Sequence, residues 1–279
     1  MINGRSITIV LIFMSTLLVD VQAEDEGLVD AVPNYMFSAV LGSGFYRVED
    51  ATLTTVRIPF SKTLRELNAE QDGIKLLLPV TVGYVSLDPD DLIDKWLPTE
   101  LGTLSFIPGV EYQHIVNENL VLKPFAQLGA GYDFENGILS GLVVGGGRAL
   151  WTKQVTTEWQ IQLGSALQWT AGWQEGDGPS SSFGLFELGA DFRRDLPIRI
   201  GERQVNGSVF CRWRKFLNDW NIAESPDDPI SVNALYELGL SVGVNESYDI
   251  YGMQLSRLSV AYVWGEDTKA VSFGMDFPF

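Results

Sequence analysis

Apolar and polar residues alternate along most of this chain with a period of two, most strictly over residues 271–279. There Val271, Phe273, Met275, Phe277 and Phe279 are separated by Ser272, Gly274, Asp276 and Pro278. A period of two sends successive side chains to opposite faces of a β-strand. In water, a strand with one greasy face and an open edge invites aggregation. In the wall of a barrel that faces lipid, the edge is paired and the greasy face has a suitable solvent. Segments of the same kind recur at 36–47, 50–60, 73–87, 101–116, 120–134, 137–151, 155–171, 182–194, 198–215, 230–244, 250–264 and 268–279. The pattern therefore predicts an all-β chain, a 12-stranded antiparallel transmembrane up-and-down β-barrel over residues 36–279. A soluble β-sandwich would use strands of about five or six residues. The segment 36–47 is the one that a helix would also fit.

The two faces can be assigned strand by strand. In the seventh, Val155, Thr157, Trp159, Ile161, Leu163, Leu167 and Trp169 oppose Glu158, Gln160, Gln162, Gln168 and Thr170. Trp159 and Trp169 would stand roughly 24 Å apart along the membrane normal, close to the ~25 Å apolar band between aromatic girdles. Both are expected at membrane interfaces. The eleventh segment loses phase near Ser256 and Arg257, which suggests a bulge. Connections alternate in length. Residues 88–100, 172–181 and 216–229 are long, whereas 117–119, 152–154 and 245–249 are short. Long outer loops and short periplasmic turns give this alternation, with both termini periplasmic. The connection 61–72 is the exception and is expected to hold a helical turn around Leu64 and Leu67.

The amino terminus changes the picture by adding a compartment. Arg5, the apolar run Ile7–Val19 and the small-residue site Val21-Gln22-Ala23 read as a cleaved signal peptide over residues 1–23. Residues 24–35 then form a short acidic segment for the periplasm or the lumen. Arg5 and Asp20 are the only charges removed with the signal, so the net charge of -17 is unchanged. That balance argues against nucleic acid as a partner. The expected partners are outer-membrane lipids and lipopolysaccharide, the barrel-assembly machinery, and either a separately encoded passenger or a small solute.

On the inward parity, acids and bases occur in similar number. The acids are Glu111, Asp133, Glu158, Glu187, Asp191, Glu237 and Asp276, and the bases are Arg57, Lys75, Lys123, Arg148, Arg193, Arg212 and Arg214. A selective pore shows a lining of one sign. A balanced lining is expected to pair across the lumen and narrow it, because unpaired charge in a confined site is unfavourable. A narrow porin-like channel is the alternative. The outer loops, with Asp88, Asp90, Asp91, Asp94 and Glu100 in one and Asp219, Glu224, Asp227 and Asp228 in another, lack calcium-loop spacing.

Catalytic chemistry finds little support. Nucleophilic hydrolysis needs a Ser activated by a base. The chain has one His, His114, on the lipid-facing parity just before a turn. One His and one Cys, Cys211, exclude a conventional zinc site. Gly145-Gly146-Gly147 lies inside a strand and is no phosphate loop. No enzyme activity, cofactor or metal is expected.

Leu122-Lys123-Pro124-Phe125-Ala126-Gln127-Leu128-Gly129-Ala130-Gly131-Tyr132 resembles a strand of autotransporter translocator β-domains. Arg57-Ile58-Pro59-Phe60, Leu77-Leu78-Pro79-Val80 and Phe106-Ile107-Pro108-Gly109-Val110-Glu111 resemble the solitary outer-membrane autotransporter-like β-barrel family. The resemblance implies a barrel in the outer membrane of a Gram-negative bacterium. It also implies that the closing strand, with Val271, Phe273, Met275, Phe277 and Phe279, is read by the assembly machinery. Residues 24–35 are too few for a passenger, so self-secretion is not expected.

Overall fold

Strands form where β-branched and aromatic residues keep the period-two pattern, and they end where turn-forming residues interrupt it. The computed structural model describes residues 42–48, 51–86, 102–134, 137–174, 180–217, 221–222, 230–231, 233–250, 253–265, 268–275, 277 and 279. Residues 1–23, predicted as a signal peptide, the acidic segment 24–35, the start of the first predicted strand and the acidic stretch 88–100 lie outside the described residues, as does Asp276.

The wall consists of β1 (Ser43–Val48), β2 (Ala51–Arg65), β3 (Gly73–Ser86), β4 (Thr103–Phe106 and Gly109–Asn117), β5 (Leu120–Asp133) and β6 (Ile138–Gln154). It continues with β7 (Trp159–Gln174), β8 (Ser180–Ile200), β9 (Arg203–Phe216), β10 (Ala234–Ile250), β11 (Met253–Gly265) and β12 (Thr268–Gly274). Each strand pairs antiparallel with its sequence neighbours, and β12 pairs with β1 from Ser43↔Phe273 to Val48↔Thr268. The sheet is thus a closed 12-stranded barrel. A small hairpin, Asn221–Ile222 with Ile230–Ser231, stands in the connection between β9 and β10.

Residues 118–119, 155–158 and 201–202 join strands at one end, the short-turn rim. The strands flanking the two longest connections, 87–102 and 217–233, end at the other, the long-loop rim, where 49–50 and 266–267 are short. Two expectations need correction. The connection after β2 is shorter than 61–72, because β2 continues to Arg65. It holds no helical turn; Asn68 and Gln71 bridge to each other, and the Asn68 side chain accepts from Glu70 N at 2.9 Å.

Two irregularities matter for the interior. Between its two pieces β4 breaks at Ile107-Pro108, where Pro cannot donate to a ladder. Ile107 turns inward, and Gln127 Nε2 donates to its carbonyl at 2.9 Å. A second register shift separates Gly243 and Tyr248 on β10 from Arg257 and Leu255 on β11. The predicted phase loss at Ser256-Arg257 therefore lies beside an irregularity whose extra residues are on β10.

The distribution of residue types is inverted relative to a water-soluble protein. Outward-facing Leu128, Leu240, Val242 and Leu258 are about 60 % exposed, whereas inward-facing Arg214 and Asn206 are fully buried. An exposed apolar surface of that extent suits hydrocarbon, not water.

Candidate functional site

The interior is where the chain gathers its charge. Alternation on β8, β9 and β10 brings Glu187, Arg212, Arg214 and Glu237 to one level of the wall. Arg212 and Arg214 both meet the Glu237 carboxylate, at 2.5 and 2.8 Å, and both approach Glu187, at 3.7 and 3.9 Å. Ser272 on β12 donates to the other Glu237 oxygen at 2.9 Å, and Tyr46 on β1 shares a hydrogen bond with Arg214. This cluster spans the seam where β12 meets β1. A buried carboxylate is tolerable only when charge and hydrogen bonds satisfy it, and Glu237 has both.

A second cluster lies below it. Arg257 is buried and ties Asp191 at 3.5 Å to Ser208 at 2.6 Å, and also bonds Ser241 and Asn206. Arg193 meets Asp191 at 3.2 Å and Gln162 at 2.8 Å. On the opposite wall Arg148 binds Glu111 at 2.7 Å and lies over the Phe125 ring at 4.2 Å. Lys75 is the register partner of Glu111, Asp133 is buried on β5, and Arg57 faces inward from β2. Among the inward charges named from parity, Glu187, Arg212, Arg214 and Glu237, then Asp191 and Arg193, then Glu111 and Arg148 pair in three groups.

Glu158 is a correction. It lies exposed in the turn before β7, where Thr156 Oγ1 accepts from Trp159 N at 3.1 Å, and it pairs with Arg194 at 3.3 Å. The strand begins only at Trp159, so alternation does not govern Glu158. The same boundary puts Val155 in the turn.

Arg257 was not reachable by parity, because it sits at the phase break. Also unforeseen is an apolar cluster on the inner face toward the long-loop rim. It includes Tyr46, Leu53, Leu142, Phe183, Leu185, Phe216, Leu235 and Val263, all buried. Its signal in the sequence is apolar residues on both parities, as in Leu142-Val143-Val144 and Phe183-Gly184-Leu185-Phe186, the mark of a wall buried on both faces.

The largest correction concerns residues 275–279. Val271 and Phe273 face outward on β12, as alternation requires, but the strand ends at Gly274 and the chain bends at half-buried Met275. Phe277 and Phe279 are buried inside the barrel with Ala166, Phe210, Ala261 and Leu150. Phe279 lies on inward-facing Gly164 and Gly189; a Cβ at either glycine would come within 2.6 Å of it. Lys123 Nζ donates to the Phe279 main-chain oxygen at 3.0 Å. These two aromatics line the lumen, not the lipid face.

On the outer surface, Trp159 and Trp169 both point outward, and so does Trp173, four residues beyond. Cys211 is exposed on the same face. Tyr132 and Phe134 pack edge-to-face, and Trp264 stacks on Tyr236 and Tyr262, toward the long-loop rim. At the short-turn rim His114 Nδ1 meets Asp72 at 2.7 Å, beside Tyr112, whose hydroxyl also donates to Asp72. The Tyr112 hydroxyl, followed by His114, holds the Asp72 carboxyl below its ordinary value.

The closed barrel has a structural counterpart among solved proteins. The β domain of the Bordetella autotransporter BrkA superposes with a TM-score of 0.50 at 12 % identity, covering 83 % of this chain and 93 % of that one. The fold is that of an autotransporter β domain. No family model matches the sequence, and no curated protein matches it either. The autotransporter-like fold alone is carried by this likeness.

Proposed function

We propose that the chain is an integral outer-membrane β-barrel of Gram-negative bacteria, non-enzymatic, with an interior closed by its own residues. The observation that carries this reading is the pairing of an apolar exterior with an interior filled by ion pairs and aromatic rings. An open solute channel needs a continuous polar path, and the packing of Phe183, Phe216, Leu235 and Val263 above the Arg212–Glu237 group works against one. The porin-like alternative is therefore not favoured. In this reading residues 1–23 are removed at export, both termini face the periplasm, and the acidic long loops face outward near lipopolysaccharide. The barrel-assembly machinery inserts it. Its role is structural, or translocation of a separately encoded passenger. The one histidine, His114, faces outward at the short-turn rim and not into the charged interior.

The test is expression of the full chain in a Gram-negative host. Mature protein beginning at Glu24, recovered in the outer membrane and migrating faster in detergent gels before boiling than after, is the expected result. Its yield should fall when the assembly machinery is depleted. Recovery as a soluble periplasmic protein would overturn the proposal.

A further inference from the structure

We propose that Arg65, Asp72, Tyr112 and His114 form an outward-facing site at the short-turn rim for the headgroup of an aminophospholipid. The ligand class is a membrane lipid that carries both a phosphate and a primary ammonium. This deepens the outer-membrane reading and rests on it.

Three strand ends converge at the site. Arg65 closes β2 and is the register partner of Ile74 on β3, which pairs in turn with Tyr112 on β4. Arg65 and Tyr112 therefore stand two strand spacings apart, roughly 10 Å. Asp72 immediately precedes β3. Toward the middle of the wall the same face is apolar. Leu76 there pairs with exposed Val110, and Leu122 on β5 lies opposite His114. In a membrane the four polar side chains thus sit where acyl chains give way to headgroups.

Tyr112 and His114 are both exposed, with rings nearly parallel at 7° and centroids 6.5 Å apart. Both address Asp72. The Tyr112 hydroxyl donates to one carboxylate oxygen, and His114 Nδ1 lies 2.7 Å from the other. An ionised carboxylate has about four acceptor positions, and a neutral imidazole that donates through one nitrogen accepts at the other. Half-exposed Asp72 and His114 Nε2 together keep about three acceptor positions open to the outside. A primary ammonium brings a matching set of donors, and the Tyr112 ring face also attracts a cation. Arg65 supplies the opposite charge. It is exposed, and its charge reaches both Asp72 and Tyr112. A guanidinium presents a planar fork to phosphate.

Local charge selects the same class. Residues 62–72 hold Lys62 and Arg65 against Glu66, Glu70 and Asp72. A purely anionic headgroup meets net repulsion there, whereas a zwitterion meets both signs. A choline headgroup has the charge but no N–H to donate.

His114 is the only histidine in the chain, so isotopic labelling of histidine ring nitrogens in the untagged protein gives one magnetic-resonance reporter at the site. The full chain is folded in a maltoside detergent, in mildly alkaline buffer. It is then titrated with short-chain phosphatidylethanolamine, phosphatidylcholine and phosphatidylglycerol. A saturable shift of the His114 signals is expected with phosphatidylethanolamine, at concentrations severalfold below those needed for the other two. Arg65→Gln should weaken that binding severalfold, and Asp72→Asn should abolish the preference for ethanolamine over choline. Arg194→Gln removes a cation elsewhere on the exposed surface and should leave the titration unchanged. No saturable shift, or an equal response to all three lipids, would overturn the site. So would a like loss in Arg194→Gln, which would reduce the effect to bulk charge. An equal response to water-soluble phosphoethanolamine would overturn the membrane origin of the ligand. Only protein with the heat-modifiable mobility of a folded barrel is scored. A chain that forms no such barrel would strike the outer-membrane reading itself, and the site with it.

Discussion

Toward the long-loop rim, the interior is filled by side chains of the wall strands. Toward the short-turn rim it is filled by a segment that leaves the wall. Leu142, Phe183, Leu185 and Leu235 each project from a strand paired on both sides, and each is fixed by its neighbours' register. Phe277 and Phe279 follow the end of β12 and reach across to β7 and β8. The first kind of filling is part of the ladder and cannot leave without unfolding the barrel. The second joins the ladder only at the end of β12 and is held by contacts at Gly164, Gly189 and Lys123. Similar apolar burial is thus built into the ladder in one half and added by a segment beyond it in the other.

The largest effect should come from the charge cluster between these regions. Glu237→Ala leaves Arg212 and Arg214 without their shared carboxylate, and removing one partner of a buried pair costs about 3–5 kcal/mol. Urea titration of the folded barrel in detergent should show it as a lowered midpoint. Phe183→Ala should follow at about 3 kcal/mol, the low end for deleting a buried ring, because the ring packs on Phe216 with centroids 6.0 Å apart. On the outer face Leu240→Arg should destabilise by about 2–4 kcal/mol in lipid if it lies near the bilayer midplane. The same change would stabilise or do nothing if that face met water.

Phe279→Ala should cost about 1–2 kcal/mol, within the ordinary range for single changes. It should also relieve the damage done by Gly164→Ala, because the two occupy one space. If Phe279→Ala matched Phe183→Ala, and the pair with Gly164→Ala were merely additive, the contrast between the two halves would collapse.

The smallest expected effect is at the rim. Asp72 has its carboxyl held below the ordinary value of about 3.9 by Tyr112 and then His114. Its contribution is therefore present above that ordinary value and is lost as pH falls through the lower, folded-state value. Asp72→Asn should flatten this acid limb of the unfolding midpoint and leave neutral pH nearly unchanged.

Much of this was legible in the alternation. Strand number, closure, and the outward positions of Trp159, Trp169, Leu163 and Leu240 follow from a period of two over long segments. Pairs such as Arg148–Glu111 and Arg212–Glu237 sit on the inward parity that the pattern assigns. Parity fails where a strand ends or slips. Glu158 lies one residue before β7, and Arg257 faces a bulge on β10. The terminal aromatics were hidden for a different reason. Alternation places Phe277 and Phe279 on the lipid face if the strand continues, and whether it continues depends on space at Gly164 and Gly189 on distant strands. No local pattern carries that information. The inner apolar cluster was legible only as runs apolar on both parities, which signal double burial without saying that a lumen is filled.

Single-channel recording on the purified full chain in a planar bilayer tests the closed interior most directly. A silent trace or rare brief flickers over long recordings is the expected result, and stable, steady open currents from the folded barrel would contradict it.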